Sequence, residues 1–260
     1  MSDRILKIIG QVLRDLIIIG LVVLVIFATK FVLKAENGYE PGQVAEVYMV
    51  TDQDVVVESN MFSILFDGPG KERALLFYPA DEVEEKAYAP MMYDLARNGV
   101  DCIVAKMPLN RNNLDLFTLS DDIIMSEYGY KYWFIGGHGE GAGKAAEVAA
   151  KRSEKICGLI CMAGFTRKDI SDVELKTLMI HGSLDDVWQP SLFQKNAPAN
   201  AQELPIVGGN YSQFGDFGLF EGDNVASISE GDQRIQSVEA IMAFIKANSP
   251  EPESEYDFEE

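Results

Sequence analysis

Tyr132-Trp133-Phe134-Ile135-Gly136-Gly137-His138-Gly139-Glu140-Gly141-Ala142 joins an apolar run to an alanine-rich one through six residues, four of them glycine. The apolar run reads as a buried strand, the glycines as a sharp turn, and the segment Gly141 to Lys151 as a helix packed closely through small side chains. Strand, glycine turn and helix make the setting of the nucleophile elbow, G-x-S-x-G, which exposes a serine at the end of a parallel sheet. Gly137, Gly139 and Gly141 hold its three key positions. Where the serine would stand there is glycine.

Outward from the elbow the chain alternates strand-like and helix-like segments. Val55 to Val57, Met61 to Phe66, Ala74 to Tyr78, Val100 to Met107, Ile156 to Met162 and Leu175 to Ile180 are short apolar runs. Helical spacing falls between or after them, over Glu84 to Asn98, Ser120 to Glu127 and Asp232 to Ala247. The last of these carries Ile235, Val238, Ile241, Met242 and Ile245 toward one side. Such alternation predicts an α/β fold, a mainly parallel sheet flanked by helices.

The two ends differ from this middle. Leu16 to Leu33 holds one charge, Lys30, and about 18 helical residues span roughly 27 Å, close to the hydrocarbon thickness of a bilayer. A single transmembrane anchor is expected within residues 1–35, ahead of a domain over 36–248. The segment after Phe27 lacks a clean small-x-small site, which disfavours a cleaved signal peptide. Arg4, Lys7 and Arg14 outnumber Lys30 and Lys34, placing the N-terminus in the cytoplasm and the domain outside. Residues 249–260, acidic and containing Pro250 and Pro252, read as a solvated disordered tail. A net charge of -19 opposes nucleic-acid binding, which needs clustered Lys and Arg. Cys102, Cys157 and Cys161 lie in core runs and read as free thiols.

From Tyr39 to Ala247 the sequence resembles the α/β-hydrolases, in particular a small bacterial, often membrane-anchored group related to dienelactone hydrolases. The resemblance is carried by Leu76-Phe77-Tyr78-Pro79, Lys106-Met107-Pro108-Leu109-Asn110, Gly136-Gly137-His138, Gly208-Gly209-Asn210 and, most distinctively, Gln213-Phe214-Gly215-Asp216-Phe217-Gly218. It implies the α/β-hydrolase fold, and a triad of serine at Gly139, acid at Asp185 and histidine at Tyr211. Two of those three positions are substituted.

The same loss follows from residue order. In this fold the triad runs nucleophile, acid, histidine, and the chain's two histidines, His138 and His181, both precede Asp185. Glycine has no side chain to attack a carbonyl, and tyrosine, with an ordinary pKa near 10, is a poor base at neutral pH. Backbone donors can outlast the triad. The N–H of Glu140 and one from Ala80 or a later residue are expected to point at an oxyanion site, with His138 and Asn210 in the same pocket region. The Glu140 carboxylate either fills that site or, as expected here, faces solvent in the first helical turn, stabilised by the helix dipole.

The expected function is therefore that of a catalytically impaired hydrolase homologue, a membrane-tethered domain binding a small ligand or a protein, with no cofactor and no metal site. The competing reading is an ester hydrolase in which Glu140, Asp185, Asp186 or Asp216 activates water.

Overall fold

Eight strands form one sheet in the order β1-β2-β4-β3-β5-β6-β7-β8. They are β1 (Val56–Ser59), β2 (Ser63–Asp67), β3 (Arg73–Tyr78), β4 (Asp101–Ala105), β5 (Tyr132–His138), β6 (Ile156–Met162), β7 (Thr177–Gly182) and β8 (Gln202–Ile206). The computed structural model describes residues 2–36, 38–112, 125 and 128–249. The expected helix over Ser120 to Glu127, Met125 apart, and the tail beyond Ser249 lie outside them.

Strands β1 and β2 run antiparallel, β2 pairs antiparallel with β4, and every pairing from β4 to β8 is parallel. Strand β5 is central, with Gly136 beside Phe77 of β3 and Ile160 of β6. The parallel strands therefore end at one edge, where Tyr78, His138, Met162 and Gly182 deliver the site loops. Open α/β sheets bind ligands at that edge.

Both faces are covered. Helix α3 (Ala89–Arg97) packs on β4, α4 (Glu140–Lys151) on β5 and β6, and the C-terminal helix, here α6 (Glu230–Asn248), on β6 to β8. Residues an odd number apart on β6 face opposite sides. A side chain at Gly158 would meet Phe244 of α6, while Cys161, pointing the other way, approaches the Ala142 carbonyl of α4. All three cysteines are free.

Where expectation and structure differ, the cause is local. Residues 84–98 form a 3-10 turn over Glu85–Tyr88 and only then α3, because Pro90 enters at the first helical turn. The short helices α2 (Gln43–Val47) and α5 (Pro190–Asn196) were not anticipated. Strand β8 was also missed: four of its five residues are exposed and it contains Pro205, so it shows no apolar pattern. On α6, Ile235 is exposed and Gln233 and Ser237 are buried in its place. Ser249, assigned above to the tail, is fully buried and accepts from Arg73 Nε at 2.8 Å through its hydroxyl.

The chain divides into two units, Met1–Gly38 and Tyr39–Glu260. The first is the helix α1 (Ser2–Glu36), and its stretch Ile8–Lys30, with mean hydropathy 2.5, is long and apolar enough to cross a membrane. At 23 residues it spans roughly 35 Å. It includes Arg14 and Asp15, which pair at 2.9 Å.

Candidate active site

Gly139 closes β5 and caps α4 with φ 52° and ψ −122°, a left-handed conformation that side chains adopt only under strain. Its N–H donates to the Met162 carbonyl at 2.9 Å, fixing the turn to β6. One turn on, Gly141 passes so close to the Tyr78 and Pro79 carbonyls that a Cβ there would overlap them. The elbow predicted from the glycine spacing is present.

Tyr211 reaches the elbow from the loop after β8. That loop is clamped by Gln233, whose side-chain amide accepts from the Asn210 N–H at 3.0 Å and donates to the Asn210 carbonyl at 2.8 Å. Asn210 spends its own amide on the Asn224 carbonyl and the Gln213 N–H. It is a loop bracket and does not line the cleft, contrary to expectation. Tyr211 itself is 1% exposed and lies on the His138 ring, centroids 4.0 Å apart. A Cβ built on Gly139 would overlap the Tyr211 hydroxyl and lie 3.1 Å from its Cζ. The phenol fills the volume a nucleophile would need.

Asp185 follows β7. Its Oδ1 accepts from the Val187 and Trp188 N–H groups, both at 2.9 Å, while Oδ2 is buried and makes no hydrogen bond among the described residues. Burial raises its pKa to about 6, against the pull of the Trp188 and Val187 N–H groups. Burial, followed by the charges of Glu140 and other neighbours, lifts the Tyr211 phenol well above its ordinary range, so it stays protonated.

Ala80 does not supply the free donor expected of it. Its N–H donates to the Tyr88 hydroxyl at 3.0 Å, and that hydroxyl lies 2.9 Å from His138 Nδ1. Burial lowers the His138 pKa to about 3, so the ring is neutral. We assign its proton to Nε2, because the Tyr88 oxygen already accepts from Ala80 and has its own proton to give. His138 Nε2 finds no well-formed hydrogen bond, with the Tyr211 backbone only partly offsetting burial. His138 thus lies beneath the elbow and outside the cleft. Tyr88, which no sequence signal distinguished from other helix residues, is the center of this relay.

Asp81 is the next residue after Ala80. Asn112 pins the loop after β3 by donating to the Pro79 carbonyl at 2.8 Å and to Asp81 Oδ1 at 2.9 Å. Glu140 is exposed at the cleft, yet protein around its carboxyl raises its pKa by burial, opposed by hydrogen bonding from the backbone of Glu140 itself and of Asp81. As expected, Glu140 is exposed in the first helical turn, where its carboxylate meets the positive end of the helix dipole.

Tyr211, Glu140, Arg167, Trp188 and Leu192 line a cleft of about 110 Å³ above the elbow. A second lobe of about 440 Å³ shares Glu140 and Arg167 and adds Lys144. His181 lies outside both, stacked on Trp188 at 5.4 Å and bonded to Glu203. Among the described residues, no three His, Cys, Asp or Glu side chains converge where a metal would be held.

Residues 74–235 match the alpha/beta hydrolase family. Among solved structures, the carboxylesterase CesB from Bacillus subtilis aligns with a TM-score of 0.58 at 6% identity, over 85% of this chain and 100% of that one. A predicted CIB-like hydrolase from Thermoplasma acidophilum aligns at 0.55 with 12% identity, over 73% and 99%. A dienelactone hydrolase-like promiscuous phosphotriesterase from metagenomic libraries aligns at 0.50 with 13% identity, over 75% and 97%. No curated protein sequence matches. Sheet order, elbow and the match over 74–235 place the chain in the α/β-hydrolase family.

Proposed function

We propose that the chain is a membrane-tethered hydrolase homologue that binds a small ligand or a protein partner in its cleft without hydrolysing esters by the serine route. The observation that supports this most is the Tyr211 hydroxyl standing where a side chain at position 139 would have to be. Substituting glycine alone would leave an empty nucleophile site beside a usable histidine. Here the acid Asp185 keeps its orienting N–H groups while its second oxygen has no partner, and the base position holds a protonated phenol. A triad without nucleophile and base retains at most the modest rate gain of binding and oxyanion stabilisation. The slight excess of basic residues before the apolar helix supports a domain outside the cytoplasmic membrane face.

The test uses the full chain in detergent with p-nitrophenyl acetate and a fluorophosphonate label. No acyl-enzyme burst and no covalent label are expected. Labelling, or turnover abolished by changing Glu140 or Asp185, would overturn the reading.

A further inference from the structure

In a working hydrolase the head of the cleft offers donors to a carbonyl oxygen. In this chain the Glu140 carboxylate lines that cleft and is exposed, so the cleft presents an acceptor with a negative charge. A carboxylate has about four acceptor positions. Beside it stands the Tyr211 hydroxyl, protonated and able to donate or accept.

Arg167 lines the same cleft, is exposed, and makes no ion pair or hydrogen bond among the described residues. Most other cations of the domain are tied down, as Lys71 is to Asp67 and Arg234 to Asp94. A carboxylate and an unpaired guanidinium thus border one small space, whose remaining wall includes Trp188 and Leu192. Its volume of about 110 Å³ corresponds to about four waters at roughly 30 Å³ each. That suits a ligand of fewer than ten non-hydrogen atoms.

We infer that the cleft binds a small zwitterion, with an ammonium group on Glu140 and the Tyr211 hydroxyl, an anionic group on Arg167, and a short apolar body against Trp188 and Leu192. A lone carboxylate would meet the charge of Glu140, and a lone amine would leave Arg167 unmatched and feel its repulsion. An uncharged ester would leave both Glu140 and Arg167 unmatched. The inference rests on the non-hydrolytic reading of the cleft and names the ligand class for it.

Three probes share one alkyl group and differ in charge: L-leucine, 3-methylbutylamine and 4-methylpentanoate. With the full chain in detergent at pH 7, calorimetry should show leucine binding at least roughly tenfold more tightly than either singly charged probe. Glu140→Gln should erase the advantage of leucine over 4-methylpentanoate, and Arg167→Gln its advantage over 3-methylbutylamine. Equal binding of leucine and 4-methylpentanoate, indifference to both substitutions, or no saturable heat with any probe would overturn the inference. Failure here with a silent esterase assay leaves the non-hydrolytic reading standing, whereas ester turnover removes that reading whatever the ranking of probes.

Discussion

The Tyr211 hydroxyl occupies the space that any side chain on Gly139 would enter, while the next nearest atom of the same ring, Cζ, would lie 3.1 Å from the added Cβ. Gly139→Ala should therefore be costly twice, through left-handed strain and through overlap, for a total of about 3 kcal/mol. In a Tyr211→Phe background the overlapping oxygen is gone, leaving the strain and the closer-than-usual Cζ contact at 3.1 Å. Denaturant unfolding of the four proteins should give a coupling of about 1 kcal/mol or more between the two positions. Strict additivity would show that Tyr211 does not fill this space in solution.

The same relationship sets the order in which activity could be restored. Gly139→Ser alone should stay inactive, because its hydroxyl collides with Tyr211 and has no base. Gly139→Ser with Tyr211→His supplies both, and should gain more than the two single changes together, since triad members act as a unit. Glu140→Leu, added to that pair, should raise esterase activity further by removing a negative charge from beside the developing oxyanion. If the triple variant is no better than Gly139→Ser, the assignment of Gly139, Asp185 and Tyr211 to triad positions is wrong.

Much of this was legible in the sequence, because it depended on patterns short enough to read. The elbow needs glycine at three fixed positions, and Gly137, Gly139 and Gly141 announced it. The order of histidines and acid showed that no base follows Asp185. What sequence could not show was where side chains turn. Glu140 was expected to face solvent and is exposed, but only the fold brings Arg167 to the same cleft. Ala80 was expected to be a free donor, and its capture by Tyr88 depends on a 3-10 turn forced by Pro90. Strand β8 gave no signal because an edge strand with one buried residue has no reason to alternate.

Tyr88 joins two buried groups that have no other partner among the described residues, the Ala80 N–H and His138 Nδ1. Tyr88→Phe keeps the ring and removes the oxygen, leaving both unsatisfied. At about 1–3 kcal/mol for each of the two buried polar groups, a loss of roughly 2–6 kcal/mol is expected in denaturant unfolding. A loss below half a kcal/mol would mean that water replaces the hydroxyl.

The apolar stretch Ile8–Lys30 makes a prediction about the whole chain. The intact protein should sediment with membranes, resist alkaline carbonate and dissolve only in detergent. Recovery in the soluble fraction with the N-terminal residues removed would show a cleaved leader instead of an anchor.

Asp185 should act as a pH-dependent liability. Its pKa is raised from 3.8 to about 6, so the folded state holds this proton more tightly than the unfolded chain does. The stabilising contribution is therefore complete below pH 3.8 and is lost as the pH rises through 6. Above that the protein carries a carboxylate whose Oδ2 is buried without a partner. Asp185→Asn keeps an oxygen for the Val187 and Trp188 N–H groups and removes the charge. The variant should be more stable than the parent at pH 7, by about 1–2 kcal/mol after allowing for weaker neutral hydrogen bonds, and should converge with it near pH 4. His138 works in the opposite direction. Its pKa is depressed from 6.5 to about 3, so its contribution is present above pH 6.5 and falls away as the medium is acidified toward 3. That loss is common to both proteins and cancels in the difference, leaving the Asp185 window readable from paired urea titrations between pH 4 and pH 7. A variant less stable than the parent at pH 7 would show that the unpaired oxygen has a partner in solution.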